Sequence, residues 1–106
     1  MMNDFPFENR IFDPNETLER GELAALQVKR LRAAVERASA VPFYRQAFAQ
    51  AGVDAAKIKA PDDIRRLPIT TKEDLRQHYP LGFLAGSRDE VARIHGSTGT
   101  TGKPTF

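Results

Sequence analysis

Cysteine and tryptophan are absent from this chain of 106 residues, and histidine occurs only twice. Without cysteine, disulfide bonds and thiolate metal sites are excluded. His78 and His95 lie far apart in the sequence, so a zinc site has almost no ligands to draw on. We therefore expect no metal centre built by this chain.

Long apolar runs and blocks of one charge are also missing. No stretch approaches the roughly 20 apolar residues of a membrane span, and residues 1–10 contain Asp4 and Glu8 but no apolar segment typical of a signal peptide. Lys and Arg number 16 against 14 Asp and Glu, a net charge of +2 without a basic cluster. We expect a cytoplasmic protein that binds neither membranes nor nucleic acid.

Bulky core residues are thinly spread along the chain. Apolar residues make up 41% of the sequence, but fourteen of them are alanine. The length suits a single domain, since domains span roughly 50 to 250 residues. We expect a domain whose hydrophobic core is small.

Two helices are predicted in the first half of the chain, after an extended arm at residues 1–16. In the first, at residues 17–40, leucine, valine and alanine return at three- and four-residue steps. The second begins at Pro42, a good first helical residue, and ends before Gly52, which suits the left-handed position after a helix.

A connector at residues 54–69 with one short helical turn leads to a third predicted helix. This helix begins at Thr70 or Thr71, where Thr70 and Glu73 have the spacing of a capping box, and stops before Pro80. Residues 91–95 alternate as a short strand does. The sequence thus predicts a mainly helical piece that ends in one strand and a glycine- and threonine-rich loop, although a single strand cannot make a sheet.

The closing stretch "HGSTGTTGKPTF" has the chemistry of an anion site. Its glycines allow the backbone to turn with positive φ, and successive N–H groups in such a turn form an anion-binding concavity. Lys103 adds a compact positive charge that suits phosphate. Short hydroxyls are supplied by Ser97, Thr98, Thr100, Thr101 and Thr105. A flexible linker is the alternative, because Gly, Ser and Thr are also the usual linker residues.

This stretch is not a Walker A loop. That pattern, G-x-x-x-x-G-K-[ST], requires glycine where Ser97 stands and a hydroxyl where Pro104 stands. Pro104 also disfavours helical angles at Lys103, so we expect an extended segment after the loop, as in a hairpin.

The segment "STGTTGKPT" resembles the phosphate-binding signature of AMP-forming, adenylate-forming enzymes. The segments "VPFYRQAF", "LPITTKEDLRQHYPLGFLA" and "VARIHGSTGTTGKPT" are similar to the N-terminal region of phenylacetate–coenzyme A ligases. Compared with the common "HASSGTTGKPT" version, this chain has Gly96 and Thr98, and Thr98 keeps the hydroxyl group.

The resemblance implies an α/β fold for the full-length enzyme and a two-step reaction with ATP and Mg²⁺. An aryl carboxylate attacks the α-phosphate of ATP to give an acyl-adenylate and pyrophosphate, and coenzyme A then displaces AMP. Residues 17–106 would be the helical start of the AMP-binding domain, truncated at its phosphate-binding loop. The catalytic residues would lie downstream, so we expect this chain alone to be inactive.

The resemblance also implies which residues hold the ATP phosphates and which partners the chain has. The phosphate ligands would be Ser97, Thr98, Gly99, Thr100, Thr101, Gly102 and Lys103, with His95 as a candidate active-site neighbour. The partners would be the remainder of the same polypeptide, the aryl acid and, in a full-length homodimer, a second copy. A small helical binding or regulatory module with a flexible tail and no catalysis is the alternative function.

Several other polar and aromatic residues have structural interpretations. We interpret His78 as a structural residue, because it lies at the end of the third helix, where the helix dipole favours a partly charged imidazole. We interpret Phe43 and Tyr44 as core residues, Asp62 and Asp63 as helix-start carboxylates, and Arg65 and Arg66 as solvated surface.

Overall fold

The computed structural model describes residues 11–99 and 102–106. Its α-helices are α1 (Arg20–Ala38), α2 (Pro42–Ala51) and α3 (Lys72–Gln77). Short 3₁₀ turns are found at Pro14–Thr17, Ala55–Lys57, Pro61–Arg66 and Arg88–Glu90. The described residues contain no β-strand, and none of their helices has the length and apolar content to cross a bilayer.

Helix α2 has the bounds that its sequence predicts. Pro42 occupies the first turn, and Gly52 closes the helix with φ 67°. The N–H of Val53 then donates to the carbonyl oxygen of Phe48 at 2.9 Å, which satisfies one of the last helical carbonyls. The prediction of a proline start and a glycine stop is confirmed.

Helix α1 is shorter at its start than the predicted 17–40. The separate 3₁₀ turn Pro14–Thr17 precedes it, and the Asp13 carboxylate caps this turn by accepting a hydrogen bond from the Asn15 N–H at 2.9 Å. Within the predicted arm, residues 1–10 lie outside the described residues, while Ile11 and Phe12 are exposed.

Helix α3 begins one residue later than a Thr70 cap would place it, because the cap is Thr71. The Thr71 hydroxyl accepts from the Asp74 N–H at 3.3 Å, and the Asp74 carboxylate accepts from the Thr71 N–H at 2.8 Å. The predicted pair of Thr70 and Glu73 is wrong, since the Thr70 hydroxyl is 2.6 Å from the Tyr44 hydroxyl and is used in tertiary contact. The Thr71 backbone hydrogen bond, followed by that of its hydroxyl, lowers the pKa of Asp74.

The hydrophobic core is small, as predicted. It is centred on Val35 of α1, Phe48 of α2 and Ile58 of the connector, and only Val41 is also fully buried among the described residues. Arg32 ties α1 to the connector by donating from Nε to the Ile58 carbonyl oxygen at 2.7 Å.

An aromatic cluster joins α2 to the end of α3 and to the turn that follows. The Phe43 ring lies 4.9 Å from that of Phe83 and 5.3 Å from that of His78 between ring centroids. Nδ1 of His78 donates to the Asp74 carbonyl oxygen at 2.8 Å, so His78 closes α3. Tyr44 contacts Phe48 and Phe83 in the same cluster. Phe43 and Tyr44 are half-buried and pack against other rings, and Tyr44 also packs against the buried core, whereas Phe43 is not part of that core.

The charged connector residues also have the predicted roles. The Asp63 carboxylate accepts from the N–H groups of Lys59 and Ala60 at 2.8 and 3.0 Å, and these bonds lower the pKa of Asp63. Arg65 Nε lies 3.1 Å from Asp62 with both side chains mostly exposed, so this ion pair contributes little to stability.

The strand predicted at residues 91–95 is wrong for the described structure. This segment has no regular secondary structure, because a β-ladder requires a partner segment. The 3₁₀ turn Arg88–Glu90 before it was not predicted, although Ser87 and Glu90 have capping-box spacing. The Ser87 N–H donates to the Glu90 carboxylate at 2.9 Å.

Candidate phosphate-binding loop

The glycine- and threonine-rich loop is closed at its base by Ser97 and Thr105. The Ser97 N–H donates to the Thr105 carbonyl oxygen at 3.0 Å, and the Thr105 N–H donates to Ser97 Oγ at 2.9 Å. The two hydroxyl oxygens are 3.2 Å apart. The arms on either side of the loop therefore meet, as a hairpin requires, although no strand is formed in the described residues.

Two glycines turn the backbone inside this closure. Gly99 has φ 65° and Gly102 has φ 149°, values that side chains disfavour. The Gly102 N–H donates to the Gly99 carbonyl oxygen at 3.2 Å. A Cβ atom on Gly99 would lie 2.9 Å from the Gly102 carbonyl oxygen and 3.0 Å from the Pro104 nitrogen. Glycine at 99 is thus required both by the dihedral angle and by the space.

The predicted phosphate donors have different positions in the structure. Thr98 is exposed, and its hydroxyl has no hydrogen-bond partner within the part of the chain that the structure describes. The backbone N–H groups of Ser97 and Gly102 are used within the loop itself. Thr100 and Thr101 lie outside the described residues. Among the described donors, the Thr98 hydroxyl and the Lys103 ammonium have no hydrogen-bond partner in the described residues, and the backbone N–H groups of Thr98, Gly99 and Lys103 are also unused there.

The arm that returns from the loop contacts the helical body at Tyr79. The Lys103 ammonium lies over the Tyr79 ring, 5.3 Å from its centroid, and the Phe106 ring lies 5.3 Å from the same ring at an angle of 31°. A Cβ atom on Gly96 would come within 2.5 Å of the Phe106 ring, so that ring is seated over a glycine. The sequence analysis missed Tyr79, whose only signal is an aromatic side chain just before Pro80.

His95 does not join the loop hydroxyls in this structure. It is exposed and lines a groove of about 240 Å³ together with Arg93, Ile94, Phe83 and Phe106. In the described ranges 11–99 and 102–106, no group of three His, Asp or Glu residues is arranged to hold a metal ion.

Comparison with curated proteins gives relatives that share one name. The chain is 52% identical over 91 residues to a phenylacetate–coenzyme A ligase of Thermus thermophilus, which is 85% of this chain. It is 47% identical over 94 residues to the ligase of the same name from Aromatoleum evansii and 46% identical over 98 residues to that of Escherichia coli. The resemblance to phenylacetate–coenzyme A ligases is confirmed. No family model matches the chain.

The relatives are much longer than this chain. The aligned regions cover 85 to 92% of the chain but only 20 to 22% of those three ligases. The chain therefore spans about a fifth of the length of these phenylacetate–coenzyme A ligases.

Proposed function

We propose that this chain supplies the ATP phosphate-binding loop of an AMP-forming ligase that joins an aryl acid such as phenylacetate to coenzyme A. The observation that carries this proposal is the identity of 46 to 52% with three ligases of that name, over segments that cover most of the chain. In the full-length enzyme the chain would be the N-terminal part of an α/β AMP-binding domain.

The geometry of the loop supports a phosphate ligand. Ser97 and Thr105 close the base, and the two positive-φ glycines turn the backbone between them. Lys103 adds a charge, and Thr98 adds a hydroxyl with no competing partner in the described structure. Each hydrogen bond to a charged oxygen contributes roughly 1.5–3 kcal/mol. The loop would hold the β- and γ-phosphates and stabilise the negative charge that develops on the departing pyrophosphate.

The described residues fit ATP better than they fit its metal ion. Mg²⁺ is usually bound through one or two carboxylates together with substrate phosphates, and the sequence of the loop, residues 95–106, contains no Asp or Glu. We therefore assign no Mg²⁺ ligand to this chain. The aryl pocket, the coenzyme A site and the catalytic residues would come from the remainder of the ligase, and the 106-residue chain alone would be inactive.

The alternative of a self-contained helical module has less support. Such a module needs a core that excludes water without further chain, yet only four apolar side chains are buried in the described residues. Ile69 is 86% exposed and Ile64 is 57% exposed. A cytoplasmic location and a homodimer stay predictions.

The proposal is tested with the full-length protein, ATP, coenzyme A and a panel of aryl acids that includes phenylacetate, benzoate and indoleacetate. We expect formation of AMP and of the aryl-acyl thioester, together with acid-dependent exchange of labelled pyrophosphate into ATP. The matched control is the same protein without coenzyme A, which should support exchange but not thioester formation. No AMP release with any acid in the panel would refute the proposal.

A further inference from the structure

Tyr79 contacts the returning arm of the loop, and the proposed reaction gives this residue no role. It follows α3 and His78, which closes that helix, and it is 38% exposed, whereas the aromatic cluster of the body consists of rings on α2, His78 and the later turn. Its ring contacts two residues of the loop's returning arm, Lys103 and Phe106. Among the described residues, Tyr79 thus provides an aromatic contact between the body and that arm.

The contact with Lys103 is of the cation–π type. An ammonium group within about 6 Å of an aromatic ring centroid is attracted by the negative face of the ring, and the distance here is 5.3 Å. The ring covers one side of the ammonium group. Lysine carries three donors on a flexible stem of four carbons, so the opposite side can still receive a phosphate oxygen.

We infer that Tyr79 is a positioning residue for Lys103, which restrains the ammonium group beside the loop before a nucleoside triphosphate binds. This inference rests on the proposed function of the loop. Phe106 supports the arrangement, because its ring packs against Tyr79 and over Gly96 and so fixes the returning arm on the same aromatic surface.

The contact is tested first without nucleotide, by the rate at which acetic anhydride acetylates Lys103 in the full-length protein. Peptide mass spectrometry measures this rate relative to Lys72, an exposed lysine of α3 in the same chain. Tyr79→Leu removes the ring, and we expect Lys103 to react about two- to five-fold faster because one side of the amine is no longer covered. Tyr79→Phe keeps the ring and should react as the wild type does.

The positioning role is tested second by the KM for ATP in pyrophosphate exchange. Tyr79→Leu should raise this KM about two- to five-fold while kcat changes less, and Tyr79→Phe should restore the wild-type value. In a Lys103→Ala background, Tyr79→Leu should have no additional effect, because the group that the ring restrains is gone.

The outcomes separate this inference from the proposed function. Equal acetylation of Lys103 in Tyr79→Leu and wild type would overturn the inference whatever the nucleotide kinetics show. Faster acetylation with an unchanged KM would also overturn it, since the contact would then not serve ATP binding. If Lys103→Ala itself left exchange unchanged, the proposed role of the loop would be at fault, and acetylation would still report whether the contact exists.

Discussion

Gly52 in the helical body and Gly99 in the closing loop have nearly the same backbone angle, with φ values of 67° and 65°. Their surroundings differ. Apart from Gly52 itself and its two chain neighbours, nothing lies within 4 Å of the place where a Cβ on Gly52 would stand, whereas a Cβ on Gly99 would meet the Gly102 carbonyl oxygen at 2.9 Å. Gly52 is needed only to end a helix. Gly99 is also needed because the backbone of Gly102 and Pro104 lies where a side chain would stand.

The same difference extends to the two regions as a whole. The body is held by side chains, namely the core around Phe48, the hydroxyl pair of Tyr44 and Thr70, and the cap formed by Thr71 and Asp74. The loop is held by two backbone–backbone hydrogen bonds and by two bonds to the Ser97 hydroxyl, and it has no buried side chain in its described residues. Substitutions in the body should therefore change stability, while substitutions in the loop should change ligand binding.

The largest expected effect is the loss of the Phe48 ring from the body. Phe48 is 7% exposed and packs in the core with Val35 and Ile58. Phe48→Ala should lower the free energy of unfolding by about 3–5 kcal/mol, since a core this small cannot close the cavity. Urea unfolding followed by circular dichroism measures this, with Ile69→Ala, at a residue that is 86% exposed, as the control. Similar losses in both variants would contradict the described core.

Next in size is the removal of the loop charge. Lys103→Ala in the full-length ligase should slow adenylation about 10- to 150-fold, the equivalent of one charge-assisted hydrogen bond. Transfer of the acyl group to coenzyme A should be less affected, and stability should not change. Lys72→Ala, at an exposed lysine of the body, is the matched control. An unchanged adenylation rate would remove Lys103 from the mechanism.

The two glycines give the most direct test of the comparison. Both alanine variants must adopt a left-handed angle, which costs about 1–2 kcal/mol. In Gly52→Ala this cost should appear as lower stability with an unchanged KM for ATP. In Gly99→Ala it should appear as a KM for ATP raised about 5- to 30-fold or more, because the clash with Gly102 deforms the loop. Equal effects of both variants on KM would break the distinction between the regions.

The smallest effect is expected from the cap of α3 as the pH falls. Hydrogen bonds from Thr71 lower the pKa of Asp74 in the folded chain, so the stabilisation is present above the pKa of the unfolded chain. It is lost as the pH falls through the lower folded value. Asp74→Asn should therefore weaken the acid dependence of the urea midpoint, and Asp62→Asn should do so less. The same acid dependence in Asp74→Asn and wild type would contradict this cap.

The parts of the fold that the sequence predicts are those with local signals. Pro42 and Gly52 define α2 because their effects on the backbone act within a single helical turn. The sequence alone could not show whether Thr70 or Thr71 caps α3, because the Thr70 hydroxyl instead forms a hydrogen bond with Tyr44 of α2. The prediction of a strand at residues 91–95 was wrong because strand formation depends on a partner segment, which local sequence does not reveal.

The candidate loop was predictable in its residue types but not in its contacts. Glycine, hydroxyl and lysine residues indicate phosphate chemistry wherever the chain takes them. The use of Ser97 to close the base and of Tyr79 to contact Lys103 depends on tertiary structure. The resemblance to known ligases indicated the residues of the loop, but it did not indicate that Ser97 contacts Thr105 or that Lys103 contacts Tyr79.

The closure between Ser97 and Thr105 has a consequence for affinity. Holding Ser97 and Thr105 together, eight residues apart, costs conformational entropy. Because this contact forms when the chain folds, the entropy is already lost before an anion binds. A ligand that enters the loop would find its ends already tethered, so more of the gross interaction energy would appear as binding free energy.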